Sequence, residues 1–271
     1  MRTFCTLYFA ASLSFLTQAF AQTNTAAPAE VAAQSEAPAE TNSTTVTGNG
    51  SIRLTLLGDS MMSAQVPTRN AQGWGPYLAD YLPNVKVTDL ASSGRSTKSF
   101  IQGDMMPDGA IRPPLKWPMA LKTPADYWLI SFGGNELKPG FRHTDPSGSY
   151  TDDLIIFINE ARKRNIIPVL ITPTYHPPEK DGVPGPLAPY AEAVRQLAKK
   201  EGVPCMDLYD FTTAWYQKEG ADAVKYQPPE LGGHFNKEGA KMFAAEMARQ
   251  FSKVEPRAAQ APGAPTQAGP Q

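Results

Sequence analysis

Four short polar segments contain residues of the types that acyl transfer requires. They are Gly58-Asp59-Ser60, Ser93-Gly94-Arg95-Ser96, Gly133-Gly134-Asn135-Glu136 and Gly232-Gly233-His234-Phe235-Asn236. Acyl transfer needs a hydroxyl nucleophile, an imidazole base, a group that orients the imidazole, and hydrogen-bond donors for the oxyanion. Taken singly, each segment is more typical of a helix cap or a turn than of a catalytic site. The chemistry therefore depends on whether the fold brings the four segments together.

The pattern of apolar residues predicts elements that would do so. Five short apolar runs predict strands, at 52–57, 85–90, 127–132, 166–171 and 205–208, and amphipathic spacing predicts helices around 154–161, 187–198 and 240–251. Alternating strands and helices indicate a three-layer α/β/α sandwich with a mostly parallel sheet of about five strands. Ligand sites in such folds lie beyond the carboxyl ends of the strands. Three of the polar segments follow the first three strands and the fourth precedes the last helix, so we expect all four at one rim.

Composition excludes several classes of function. The chain has 271 residues, with 25 Lys and Arg against 26 Asp and Glu, so nothing indicates a nucleic-acid partner. Two cysteines cannot form a disulfide scaffold, and no Cys/His spacing resembles a zinc site. We therefore expect no metal and no cofactor. Cys205 follows Val203-Pro204 at the start of an apolar run, which predicts a buried structural thiol.

Both ends of the chain differ in composition from its centre. Residues 1–21 combine Arg2, a short apolar run and Ala19-Phe20-Ala21, which predicts a secretory signal peptide, with an uncleaved anchor as the alternative. Residues 22–50 and 255–271 are rich in Ala and Pro without periodicity, which predicts disorder. The folded domain is predicted at 51–254. We expect a secreted or periplasmic monomer that is not inserted in a membrane after signal cleavage.

The four segments together resemble the blocks of the SGNH (GDSL-type) hydrolase family. Within that family the chain is most similar to the rhamnogalacturonan acetylesterase group. The details that support this similarity are Gly73-Trp74-Gly75, the segment 93–100 and the segment 234–240. The resemblance implies the flavodoxin-like SGNH fold over most of 52–252.

The resemblance also implies roles for particular residues. Ser60 would be the nucleophile and His234 the general base, while the oxyanion hole would combine the backbone N–H groups of Ser60 and Gly94 with the side-chain amide of Asn135. The implied activity is that of an exported carbohydrate esterase, which removes O-acetyl groups from a polysaccharide such as pectin rhamnogalacturonan. The alternatives are an SGNH lipase or thioesterase for longer acyl chains, and a catalytically weak descendant that binds glycans.

One position departs from the family pattern. The acid of the family lies three residues before the histidine, where this chain has Leu231, and the nearest carboxylate is Glu230. A carboxylate in this role orients the imidazole and stabilises the imidazolium. Three alternatives remain open: Glu230 substitutes for the missing acid, a backbone carbonyl orients His234, or the domain has lost catalytic power. We favour Glu230.

Two further residues are candidates for substrate binding. Trp74 could stack on a sugar ring or pack structurally, and Arg95 could contact an acidic sugar such as galacturonate or form a surface salt bridge. His143 and His176 are expected in solvated loops or at the rim. The stretch 103–126 is predicted to be a long loop that borders the site.

Overall fold

The computed structural model describes residues 50–64, 70–175 and 185–260. Its strands are β1 (Ile52–Gly58), β2 (Val85–Asp89), β3 (Asp104–Met105), β4 (Ile111–Arg112), β5 (Tyr127–Ser131), β6 (Ile167–Ile171) and β7 (Cys205–Met206). The predicted signal peptide, the predicted disordered segment before residue 50, the tail from 261 and His176 lie outside the described residues.

Five of these strands form one parallel sheet in the order β2-β1-β5-β6-β7. They coincide with the five predicted strands to within two residues, and their order is the flavodoxin-like 2-1-3-4-5. Strand β1 lies between β2 and β5, with Leu54 opposite both Val87 of β2 and Tyr127 of β5. The loops after β1, β2 and β5 therefore start side by side at one edge of the sheet.

Helices cover both faces of this sheet. They are α1 (Thr97–Gln102), α2 (Lys116–Ala120), α3 (Ser149–Arg162), α4 (Ala188–Glu201), α5 (Leu208–Glu219) and α6 (Lys237–Val254). Because strand side chains alternate between faces, Leu129 of β5 packs in a cluster with α5 and α6, while Trp128 and Ile130 pack in a second cluster with α1 to α4. This arrangement confirms the predicted three-layer fold. None of the described helices is both long and apolar enough to cross a bilayer.

Two local predictions differ from the structure. The stretch predicted as a long loop contains the β3–β4 hairpin and α2, whose lengths of two to five residues give little periodicity to detect. Cys205 was predicted to be buried, but it is exposed. It lies on β7, the edge strand of the sheet, which has a neighbouring strand on one side only.

The folded part of the chain continues past the predicted boundary at 254. Pro256–Ala259 form a 3₁₀ helix in which Ala258 is completely buried. The Tyr127 hydroxyl donates a 2.7 Å hydrogen bond to Glu255 Oε2, which also pairs with Arg257 at 2.7 Å. Composition predicted disorder from 255 because alanine and proline dominate the segment. Burial of Ala258 and the hydrogen bonds of Glu255 attach the first residues of this segment to the folded domain.

Candidate active site

Ser60 and His234 are in direct contact. Ser60 lies in the turn that follows β1 and is 8% exposed, and its Oγ is 2.7 Å from His234 Nε2. A backbone bond from Gln72 N to Phe235 O, 2.8 Å long, ties the segment before α6 to the chain that follows β1. The structure thus brings the predicted nucleophile and the predicted base within hydrogen-bond distance.

The second imidazole nitrogen faces a backbone carbonyl. His234 Nδ1 lies 2.9 Å from Leu231 O. A carbonyl oxygen only accepts hydrogen bonds, so Nδ1 bears the proton and the lone pair of Nε2 faces Ser60. The chain turns back between the two residues because Gly232 and Gly233 adopt φ angles of 58° and 85°, a conformation that glycine permits at low cost.

This geometry corrects the preference for Glu230. Its side chain is exposed, and within the described residues His234 forms no ion pair with a carboxylate at 4.0 Å or less. The physical reason is the glycine turn, which directs the carbonyl of Leu231, rather than any side chain before it, toward Nδ1. Of the three alternatives for orienting the imidazole, the structure contains the backbone carbonyl.

A buried carboxylate lies next to the Ser–His pair. Asp59 is 4% exposed and accepts a 2.9 Å hydrogen bond from Met61 N. Burial raises the pKa of Asp59 to about 6, although the Met61 N–H and the charges of His234 and Lys138 oppose the rise. Above pH 7 the carboxylate is therefore mainly ionised, and its charge interacts favourably with a protonated His234. The sequence alone predicts Asp59 only as a helix N-cap.

The Asn135 side chain is fixed at both of its polar atoms. Its Nδ2 donates to Arg95 O at 3.1 Å, and its Oδ1 accepts from Lys138 Nζ at 2.9 Å. An amide nitrogen has two hydrogens. The bond to Arg95 uses one of them, and the amide also hydrogen-bonds the Asp59 carboxylate, which opposes the rise in the pKa of Asp59. Within the described chain, the backbone N–H groups of Ser60 and Gly94 donate no hydrogen bond. These donors remain the predicted oxyanion hole.

Glu136 connects the loop after β5 to the loop after β2. It is completely buried, and its Oε1 accepts a 2.7 Å hydrogen bond from the backbone N–H of Thr97, the first residue of α1. Burial, together with the charge of Asp59, raises the pKa of Glu136 to about 8 against the opposing Thr97 bond. This side chain fixes the segment that contains Gly94 relative to Asn135.

A cavity of about 360 Å³ opens at the Ser–His pair. Its lining residues are Asp59, Ser60, Met61, Ser131, Phe132, Gly134, Asn135, Lys138, Pro173, Thr174, Gly232, Gly233 and His234. Lys138, Pro173 and Thr174 were not predicted as site residues. Pro173 and Thr174 follow β6. The rule that ligand sites lie beyond the carboxyl ends of the strands (the strand-end rule) therefore indicated their loop, but it did not distinguish residues within that loop.

The two predicted substrate-binding residues have other roles in the structure. Trp74 is completely buried in the apolar core, so it cannot stack on a sugar. The guanidinium of Arg95 pairs with Asp104 of β3, as the salt-bridge alternative anticipated. His143 is an exposed residue whose Nδ1 lies 2.8 Å from Glu136 O.

Comparison with known proteins agrees with this geometry. Residues 56–242 match the GDSL-like lipase/acylhydrolase family, a match that includes Ser60, Asn135 and His234. The chain belongs to this family. The predicted SGNH (GDSL-type) membership is thereby confirmed, and so is the prediction of an ester hydrolase.

Relatives of this GDSL-family hydrolase include two proteins of Bacillus subtilis strain 168. The chain is 29% identical over 209 residues to the probable rhamnogalacturonan acetylesterase YesY, covering 73% of this chain and 92% of YesY. It is 30% identical over 221 residues to the rhamnogalacturonan acetylesterase RhgT, covering 75% of this chain and 90% of RhgT.

Solved structures with the same fold are more distant in sequence. The Bacillus subtilis protein YxiM superposes with a TM-score of 0.62 at 19% identity, over 75% of this chain but only 56% of YxiM. The acetylxylan esterase Axe2 of Geobacillus stearothermophilus gives a TM-score of 0.54 at 17% identity, over 75% of this chain and 94% of Axe2. These similarities show the fold.

Proposed function

We propose that this hydrolase removes O-acetyl groups from a polysaccharide of the rhamnogalacturonan type, with Ser60 as nucleophile and His234 as general base. The contact of 2.7 Å between Ser60 Oγ and His234 Nε2, at the mouth of a cavity, is the observation on which the mechanism rests. The assignment of the substrate is supported by the relatives YesY and RhgT, which are named for rhamnogalacturonan.

In the acylation step, Ser60 Oγ attacks the acetyl carbonyl carbon while its proton moves to His234 Nε2. The carbonyl oxygen becomes an oxyanion that receives hydrogen bonds from the Ser60 and Gly94 N–H groups and from the Asn135 amide. When the ester bond breaks, the sugar oxygen takes the proton from Nε2. The products are the free sugar hydroxyl and an acetylated Ser60.

In the deacylation step, His234 takes a proton from water, and the hydroxide attacks the acetyl-enzyme. Acetate leaves, and Ser60 Oγ regains its proton from Nε2. In both steps the imidazolium is held by the Leu231 carbonyl at Nδ1 and is stabilised by the charge of Asp59. The site therefore works as a Ser–His dyad with a buried carboxylate nearby, and among the residues that the structure describes no carboxylate is bonded to the imidazole.

Hydrolysis of p-nitrophenyl acetate and p-nitrophenyl decanoate, together with acetate release from acetylated rhamnogalacturonan oligosaccharides, tests the proposal. We expect higher kcat/KM for the acetate than for the decanoate, acetate release from the oligosaccharides, and loss of both activities in Ser60→Ala. A preference for decanoate would favour a lipase. Oligosaccharide binding without turnover, and without labelling of Ser60 by a fluorophosphonate, would favour a glycan-binding protein.

We also propose that the protein is exported, in accordance with the signal peptide predicted at 1–21. Cleavage after Ala21 would give a mature protein that begins at Gln22. N-terminal sequencing of the protein recovered from the periplasm or the medium tests this, since an intact Arg2 in the recovered protein would indicate an uncleaved anchor.

A further inference from the structure

Two cations next to the site have no carboxylate partner within the described chain. Lys138 lines the cavity, and its Nζ contacts a neutral atom, Asn135 Oδ1, at 2.9 Å. Arg142 is half-buried and forms no hydrogen bond or ion pair with the described residues. Its Nη1 lies 3.4 Å from the point where a Cβ on Gly94 would stand, so the guanidinium packs against the predicted oxyanion loop.

The other arginines near this rim are neutralised. Asp104 pairs with both Arg95 and Arg112, and these two charges hold the pKa of Asp104 below its ordinary value. The carboxyl groups of Asp59 and Glu136 are buried, with 4% and 0% exposure. Among the described residues neither forms an ion pair with Lys138 or Arg142 at 4.0 Å or less, although the charge of Lys138 lowers the pKa of Asp59. Lys138 and Arg142 are therefore cations without an ion pair in the described chain, as is Lys98, whose Nζ lies 4.8 Å from the centre of the Phe141 ring.

The turn that bears both cations is held in place by hydrogen bonds. Lys138 N donates to Asn135 O at 3.2 Å, and His143 N donates to Gly140 O at 3.0 Å. His143 Nδ1 lies 2.8 Å from Glu136 O, so both ends of the turn are attached to the loop after β5. The backbone of the turn is thus attached beside the predicted oxyanion donors, and the bond from Lys138 Nζ to Asn135 Oδ1 also fixes that ammonium group, which limits the entropy lost when it binds a ligand.

We propose that Lys138 and Arg142 bind the carboxylate of a uronic acid residue in the polysaccharide, next to the acetyl ester that Ser60 attacks. This inference rests on the proposed function and assigns recognition of the acidic sugar to two residues. A guanidinium presents a planar fork that matches a carboxylate, and an ammonium adds a compact second charge. A neutral polysaccharide would leave both cations without a partner.

The test compares two substrates that differ in the charge of their carboxyl groups: acetylated galacturonate oligosaccharides, and the same oligosaccharides with those groups methyl-esterified. For Arg142→Gln we expect KM on the acidic substrate to rise about tenfold, as for loss of a charged hydrogen bond, with kcat retained. KM on the methyl ester should rise less than KM on the acidic substrate, so the ratio of the two KM values is the readout. Arg142→Lys should recover part of the loss.

Arg249→Gln is the matched control, because Arg249 pairs with Glu246 on the outer part of α6, away from the cavity. It should leave KM on both oligosaccharides unchanged. In the parent, added salt should raise KM on the acidic substrate and not on its methyl ester, and this dependence should weaken in Arg142→Gln.

Equal KM values for the acidic and esterified substrates in the parent, or an equal effect of Arg142→Gln on both, would overturn the uronate subsite while leaving the acetylesterase proposal intact. Failure of the parent to deacetylate either oligosaccharide, with p-nitrophenyl acetate still hydrolysed through Ser60, would instead overturn the proposed polysaccharide substrate and the subsite with it.

Discussion

Neutralising Glu230 tests which group orients the catalytic imidazole. The structure places the carbonyl of Leu231 at 2.9 Å from His234 Nδ1 and leaves Glu230 exposed. Glu230→Gln keeps the shape of the side chain and the backbone carbonyl while it removes one negative charge. We therefore expect this variant to retain most of the activity of the parent.

The expected magnitude follows from distance and exposure. No described carboxylate lies within 4.0 Å of a His234 ring nitrogen. Two unit charges separated by about 4 Å in water interact by about 1 kcal/mol, so an exposed and more distant carboxylate contributes less. The loss in kcat should stay below about fivefold, since 1.4 kcal/mol corresponds to tenfold. An orienting carboxylate would cost about 10⁴-fold.

The assay is the initial rate of p-nitrophenyl acetate hydrolysis at saturating substrate, with Ser60→Ala as the baseline. Asp222→Asn is the matched control, because Asp222 is an exposed acid in the same segment that pairs with Lys225 at 3.1 Å. Glu230→Gln and Asp222→Asn should behave alike. A loss of a hundredfold or more in Glu230→Gln alone would refute the role of the carbonyl and restore Glu230 as the catalytic acid.

Three further changes have defined outcomes. Asn135→Ala should lower kcat roughly 10²–10³-fold if its amide binds the oxyanion, and a kcat equal to that of the parent would remove that donor. Glu136 has a pKa of about 8 in the folded protein, above its ordinary value of 4.5. Between these two pH values Glu136 is protonated in the folded state but ionised in the unfolded state. The free energy of unfolding therefore falls as pH rises from about 4.5 to about 8. The free energy of unfolding, measured with urea, should fall between pH 5 and pH 8.5 in the parent, and it should fall less in Glu136→Gln, by up to about 4 kcal/mol at 1.36 kcal/mol per pH unit. An equal fall in both proteins would contradict the assignment. Gly94→Ala should lower the free energy of unfolding by about 1 kcal/mol, because residue 94 has a φ of 75°, a conformation that is unfavourable for alanine. Equal melting temperatures of the two proteins would contradict this prediction.

The fold was predictable because its signals are local and repeated. Strands such as Tyr127–Ser131 are continuous apolar runs that are buried on both faces, and α6 has its apolar residues at helical spacing. The strand-end rule then placed Ser60, Asn135 and His234 at one rim. The structure brings the Ser–His pair together there, and the catalytic roles of these residues remain predictions.

The partners of individual side chains were not predictable in the same way. The orientation of His234 depends on the φ angles of Gly232 and Gly233, and the same two glycines could accommodate either a carboxylate or a carbonyl. Nothing in the sequence distinguishes Arg95 from Arg142. Only the position of Asp104 in the β3–β4 hairpin determines that Arg95 is the one with an ion pair. Such choices depend on contacts between segments that are distant in the chain.

The contact between Ser60 and His234 joins residues that are 174 positions apart. A chain synthesised from its N-terminus can form β1, β2 and β5 early, but the nucleophile has no base until the segment before α6 has been made and has packed beside Gln72. Ester hydrolysis therefore reports completion of folding. Detachment of that segment alone would abolish turnover while most of the sheet stayed intact, so loss of activity should precede global unfolding when the protein is heated.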